Sequence, residues 1–348
     1  MTYLNRRNAL KLTGASLLTL ATSTISFGKK DEILIGHGDF KYKVNMGWGI
    51  LDNEKNPVND CHEMVEDSSG RLFLLTNETK NNVLIYSKNG KLLDSWGHSY
   101  PGAHGLTIAG EGKDQFLIIC DNKRNQVIKT DLKGNEVFKI EYPKETGEYD
   151  YPSQFVPTES AVDAETGEIY VVDGYGLNFV MVYDQYGKYL RHWGGKGTGN
   201  HQYKCNHGVL IDDRKGRERS LLITSRQENC WKRYSMDNEF LERIEMPGSF
   251  VCRPVLRGEN LYGAVFRSGL ESNENSGFVQ IVDKNNKVVS TPGGSAPIYS
   301  GDNLNIQKKE DPSNVFMHPH DVYVDSDESI YIAQWASKKT YPIKLERV

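Results

Sequence analysis

No stretch of this chain is strongly basic: its 42 Lys and Arg are offset by 46 Asp and Glu, for a formal net charge of −4. The two signs are interspersed along the whole length, so no cationic face for a nucleic acid is written in the sequence, and that class of function is excluded. Long apolar runs are missing too. The uncharged stretch 12–28 is short and rich in Ala, Ser and Thr, below the ~20 apolar residues that a membrane span requires. Five cysteines, Cys61, Cys120, Cys205, Cys230 and Cys252, contain no C-x-x-C pair, and their odd number leaves at least one unpaired if all bonds are internal. No linker and no shift of composition divides the chain.

What is present favours many short strands joined by turns: 33 Gly and 19 Tyr in 348 residues. Trp48-Gly49, Trp96-Gly97 and Trp193-Gly194 each close a strand-like segment, at intervals of 48 and 97 residues. A unit of this size, with a fixed order of four apolar strands, is the signature of a β-propeller blade. Gly90, Gly134 and Gly187 fall where the outer hairpin of a unit must turn with positive φ.

Inner-strand heads at His62, His104, Glu159, His207, Arg253 and His320 give six blades. The last has three strands, so residues 42–48 are expected to supply the fourth from the N-terminal side and close the ring. The expected fold is therefore an all-β, six-bladed β-propeller over residues 33–348. Residues 268–278 and 291–315 are expected as inserted loops.

Ala103-His104-Gly105-Leu106, Asn206-His207-Gly208-Val209 and Pro319-His320-Asp321-Val322 each place a His ahead of a short alternating run, and Cys61-His62-Glu63-Met64 has the same form. Equivalent positions of a circular repeat converge on one axis. Three neutral imidazoles there leave a tetrahedral ion one open position, the arrangement of a catalytic zinc. His104, His207 and His320 are the expected ligands. His62 is a candidate fourth, as is His318, which strand alternation places on the same side as His320. Cys205, two residues before His207, is either a thiolate ligand or packing. Arg253 is either a pocket cation that binds substrate together with Glu159, or the partner of Glu159 across the channel.

Residues 5–11, Asn5-Arg6-Arg7-Asn8-Ala9-Leu10-Lys11, resemble the twin-arginine export signal of bacteria. The resemblance implies that residues 1–28 are a removable signal, leaving an exported periplasmic or secreted protein with no stable membrane span.

Further along, Val156-Pro-Thr-Glu-Ser-Ala-Val-Asp163, Thr166-Gly-Glu-Ile-Tyr-Val-Val-Asp-Gly-Tyr175 and Gly187-Lys-Tyr-Leu-Arg-His-Trp-Gly194 resemble a blade of the peptidyl-α-hydroxyglycine α-amidating lyases, six-bladed propellers of NHL-type repeats. The resemblance covers most of residues 100–346. It implies zinc on His104, His207 and His320, a catalytic tyrosine at Tyr175, an arginine lining the pocket at Arg226, and a structural calcium on the axis at Asp321 and the backbone of Leu106. This sequence departs from the family at two places: no arginine stands near residues 76–78, and Gly176, not cysteine, follows Tyr175. His62 and His318 are additional.

These readings point to a metal-dependent lyase-type enzyme for a small carboxylated or hydroxylated substrate, such as a sugar acid or oligosaccharide, since propellers with axial His-bound metals also serve uronate elimination. Tyr175 would accept the proton and Arg226 would bind an anionic group. The alternative is a non-catalytic NHL-type propeller that binds a glycan or protein.

Overall fold

The computed structural model describes residues 32–310 and 314–348. The expected signal, residues 1–28, lies outside the described residues. Among them no helix is long and apolar enough to cross a membrane.

The described residues form a six-bladed propeller. Blade I comprises Cys61–Glu66, Leu72–Thr76, Val83–Tyr86 and Leu92–Trp96; blade II, Ala103–Ala109, Phe116–Asp121, Gln126–Asp131 and Glu136–Ile140; blade III, Glu159–Val162, Ile169–Val172, Phe179–Tyr183 and Tyr189–Gly194. Blade IV comprises Val209–Asp212, Ser220–Ser225, Cys230–Ser235 and Phe240–Glu245. In each, strands pair with their sequence neighbours in antiparallel register, so the first strand is innermost. The hairpin glycines Gly90, Gly134 and Gly187 hold φ of 84°, 86° and 83°.

Blade V is irregular. Its inner strand is split into Ser249–Val251 and Val255–Arg257, and both halves pair with Asn260–Ser268. Pro254 sits in the break, where its missing N–H costs no ladder hydrogen bond. Phe278–Val282 and Val288–Ser290 complete the blade. Beyond it, the segment expected as a loop folds in part into a small hairpin, Tyr299–Ser300 with Asn303–Leu304.

Blade VI closes the ring as expected, with a shifted boundary. Pro319–Val324, Ile330–Gln334 and Ile343–Arg347 are followed in space by Phe40–Asn45, and Leu34–His37 adds a fifth strand outside it. Trp48 lies beyond the strand and turns toward blade I instead. Its ring packs on Tyr86 and Tyr331 at 5.2 and 4.8 Å, and its indole N–H donates to the Lys88 carbonyl at 2.9 Å.

The alternating apolar residues of the inner and middle strands bury themselves between blades. Six clusters result among the described residues, one at each blade-to-blade seam. Tyr42, fully buried, belongs to the seam of blades V and VI with Tyr262, Ile332 and Leu345. The N-terminal strand thus supplies core as well as edge pairing.

Removing residues 29–48 is expected to expose Ile343–Arg347 as an open edge and drive self-association, read by size-exclusion chromatography with light scattering. Tyr42→Ala is expected to cost about 3 kcal/mol or more, by analogy with large-to-small core substitutions. A truncated chain that stays monomeric with unchanged melting would contradict this closure.

Candidate metal centre

Three imidazoles owe their aim to the same local device. Cys61 pairs with Thr76 and Glu63 with Leu75, which leaves His62 as an extra residue. His104 is skipped in the same way between Ala103 and Gly105, and His320 between Pro319 and Asp321. Such a bulge sets two residues against one on the neighbouring strand and re-aims their side chains, here toward the propeller axis. His207 arrives just ahead of Val209–Asp212, where the Gly208 carbonyl accepts from Thr224 N–H at 2.9 Å. A Cβ on Gly208 would lie 2.4 Å from the Arg253 Cα, so only glycine permits that approach.

The four rings are buried and their neighbouring centroids lie 4.7 to 4.9 Å apart. Ligating atoms of His62, His104 and His320 come within 4.8 Å of one another, as do those of His207, Cys252 and His320. Carbonyls fix two of the tautomers. His104 Nδ1 lies 2.8 Å from the Thr158 carbonyl and His320 Nδ1 lies 3.2 Å from the His62 carbonyl. A carbonyl only accepts, so each Nδ1 carries the proton and Nε2 presents a lone pair. Burial, reinforced by neighbouring imidazoles and Arg226, holds His104, His207 and His320 well below the usual histidine range. His62 falls to about 3, through burial and then Lys123. All four are neutral at pH 7.

Cys252 is the residue that sequence reasoning missed. It occupies in blade V the layer that the imidazoles occupy elsewhere, and Thr158 takes that place in blade III. Arg253 and Glu159, read above as heads in the imidazole register, therefore lie one layer deeper, with Glu63 and Asp321. A bulge turns two successive residues to the axis, which produces two layers instead of one.

Tyr175 and Arg226 stand beside the imidazoles. The Tyr175 turn, residues 173–178, is clamped by the Asp173 carboxylate, which accepts from Val156 N–H and Leu177 N–H at 2.7 Å each and from the Tyr149 hydroxyl at 2.8 Å. A Cβ on Gly176 would meet that carboxylate at 2.1 Å, which explains glycine after the tyrosine. One flank of the Tyr175 ring is exposed, while its hydroxyl is enclosed by His207 Nε2 at 3.1 Å, His104 Nε2 at 3.2 Å and Arg226 Nη2 at 3.2 Å. Burial pushes this phenol up to about 12, and Arg226 only partly offsets it.

Arg226 follows Ser220–Ser225 and is itself buried, its guanidinium 4.5 Å above the Phe266 ring and 5.4 Å above the Tyr175 ring. Among the described residues it pairs with no carboxylate. Tyr175 forms the wall between two clefts. One, of about 650 Å³, is lined by Arg226, Cys205, Lys196 and Lys204; the other, of about 270 Å³, by His62, His104, Asn77 and Lys123.

The remaining expected residues are placed as follows. His318 sits apart from the four imidazoles, with Nε2 2.9 Å from the Glu274 carboxylate and its ring on Trp335. The bulge at His320 breaks the alternation that would have put both rings on one side. Cys205 lies at the Arg226 cleft and outside the two ligating groups. All five cysteines are buried and free.

The donor set suits a zinc-like ion. His62 Nδ1, His207 Nδ1 and His320 Nε2 are buried without a hydrogen-bond partner, and such orphan nitrogens are costly unless something takes their lone pairs or protons. In the metal-free chain the imidazoles also set a pH dependence. Their folded values lie below the unfolded value of about 6.5, so the unfolded chain takes up protons first as pH falls. Stability is therefore fully present above about pH 6.5 and is lost below it, by up to about 1.4 kcal/mol per pH unit for each imidazole. Chelator-treated protein should melt progressively lower from pH 7 to pH 5. Replacing His62 and His320 by Leu should remove about half of that slope; a flat profile in the unsubstituted chain would contradict neutral imidazoles.

Comparison with known proteins agrees with this architecture. The DUF5128 family, described as a 6-bladed beta-propeller, matches residues 153–320. NHL repeat-containing protein 3 of Mus musculus is 29% identical over 182 residues, covering 49% of this chain and 51% of that protein. The chain thus spans about half the length of the curated relatives it matches. Among solved structures, a gluconolactonase from Xanthomonas campestris superposes with a TM-score of 0.57 at 12% identity, over 91% of this chain and 95% of that one. A streptogramin B lyase superposes at 0.54 with 13% identity, over 84% and 94%. At such identities the structural likeness shows the fold alone. The chain is a six-bladed β-propeller with NHL-repeat-containing relatives.

Proposed function

We propose that this protein is a metal-dependent lyase-type enzyme acting on a small carboxylated or hydroxylated molecule. The observation that carries the reading is the meeting, at one tyrosine hydroxyl, of two neutral imidazole nitrogens and a buried guanidinium that has no carboxylate partner among the described residues. His320 together with His62 and His104, or with His207 and Cys252, would hold the ion. Zinc or a similar divalent ion bound there supplies Lewis acidity toward a substrate oxygen.

The chain's own residues do the rest. Arg226, buried and lacking a counter-ion, binds a substrate carboxylate through two parallel N–H donors, which satisfies a charge that is otherwise costly to bury. Lys123, Lys196 and Lys204 on the rims of the two clefts favour the approach of an anion. Tyr175, fixed by the Asp173 clamp, would act as a phenolate favoured by Arg226 and a bound ion: its oxygen takes the substrate proton, and the electron pair of the broken C–H bond expels the leaving group. Neighbours of the same fold are named as a lyase and a lactonase, a likeness in keeping with small-molecule chemistry at a propeller axis. An exported, periplasmic or secreted location is proposed from the twin-arginine-like leader.

Purified protein should carry about one equivalent of a divalent metal, and His104→Ala with His207→Ala should lose it, by elemental analysis. A metal-free protein that gains no thermal stability from added zinc would favour the glycan- or protein-binding scaffold instead. In a screen of uronates and hydroxy acids, Tyr175→Phe should lower kcat by about 10²- to 10⁴-fold with little change in KM. Arg226→Lys should mainly raise KM for carboxylated substrates, since a lysine cannot form the bidentate pair. Unchanged turnover in metal-loaded Tyr175→Phe would remove Tyr175 from the chemistry.

A further inference from the structure

Beneath the imidazoles the channel holds a second layer. Glu63, Glu159 and Asp321 point to the axis from blades I, III and VI, and Arg253 enters from blade V beside the break at Pro254. Its Nε and Nη2 reach the two oxygens of Asp321 at 2.8 and 2.9 Å. Nη1 and Nη2 donate to the Leu106 and Met64 carbonyls at 3.3 Å each. Glu63 and Glu159 oxygens lie 3.7 and 3.8 Å from Nη1 and Nε. The guanidinium is thus enclosed by three carboxyl groups and two carbonyls, the hard-oxygen surroundings that a calcium ion takes.

The calcium implied at Asp321 and Leu106 does not fit, because those same oxygens already hold Arg253. We propose that Arg253 is a built-in counter-cation that replaces calcium on the axis, making the fold calcium-independent, and that its removal turns Glu63, Glu159 and Asp321 into a calcium site. The charge balance supports this. Three buried carboxyl groups face one guanidinium, with oxygens of Asp321, Glu63 and Glu159 at 2.8, 3.7 and 3.8 Å from its nitrogens. Without the arginine, ionised Glu63, Glu159 and Asp321 repel one another around a cavity, and a divalent cation of calcium's oxygen preference relieves that repulsion at neutral pH. The paired backbone N–H groups are already satisfied, Met64 N–H by Asp321 at 3.1 Å and Leu106 N–H by Glu63, so the oxygens stay positioned when the guanidinium goes.

The test is thermal melting of the whole chain, stripped of zinc beforehand, in EGTA and in millimolar CaCl2, with MgCl2 as control, and calcium titration calorimetry of the same samples. The unsubstituted protein should melt within about 1 °C in all three. Arg253→Ala should melt about 5 °C or more lower in EGTA and regain most of that in calcium but not magnesium. Arg253→Lys, which keeps one charge without the fork, should fold, fall between the two and bind no calcium. A calcium-induced rise of several degrees in the unsubstituted protein would overturn the proposal. So would an Arg253→Ala chain that is as stable in EGTA as the parent, or one that is destabilised yet does not respond to calcium.

Discussion

A single extra residue at the head of an inner strand organises the centre of this molecule. Six strands converge on one axis, and regular alternation would present only every second side chain to it. At His62, His104 and His320 the bulge turns the imidazole and the residue after it to the channel together. Two stacked layers result, the bulges of blades I, II and VI being joined by Glu159, His207, Cys252 and Arg253 from strands without one there: nitrogen and sulfur donors above, oxygens and a guanidinium below. Gly208 keeps the lower layer open enough for Arg253 to enter, since any side chain there would meet the Arg253 backbone.

The layers differ in what they lack. Below, Arg253 pairs with Asp321 and lies 3.7 to 3.8 Å from Glu63 and Glu159, so the protein supplies a cation of its own. Above, desolvation keeps four imidazoles neutral and leaves nitrogens without partners, while Arg226 carries a buried charge without a counter-ion. An unmet need for a cation and an unmet need for an anion therefore stand on either side of the Tyr175 hydroxyl. Such a pairing is expensive for folding, and it is the physical motive for proposing chemistry there and not in the floor.

Much of the fold was legible in the residues. The Trp-Gly spacing carried the blade period, and the missing strand of the last blade pointed to the N-terminal segment, because an open propeller would leave an edge. The imidazoles were legible as one register because each opens a similar apolar run. What escaped is where a residue sits relative to the paired part of its strand, since a bulge or a residue just ahead of the ladder leaves no composition signal. Arg253 and Glu159 were read in the layer of the imidazoles instead of beneath them, and His318 was read beside His320. Cys252 escaped because it lies in the break between Ser249–Val251 and Val255–Arg257, so no alternating run marks its register. The Tyr175 turn was visible only through resemblance; the clamp by Asp173 depends on Tyr149 and Val156, distant in sequence from the tyrosine.

The central claim is that the axial imidazoles bind a metal through nitrogen. X-ray absorption at the metal edge of zinc-loaded protein tests it most directly. The account predicts several imidazole nitrogens at about 2.0 to 2.1 Å, with their characteristic outer-shell scattering. A shell of oxygen alone, or zinc that washes out without leaving an imidazole signature, would contradict it.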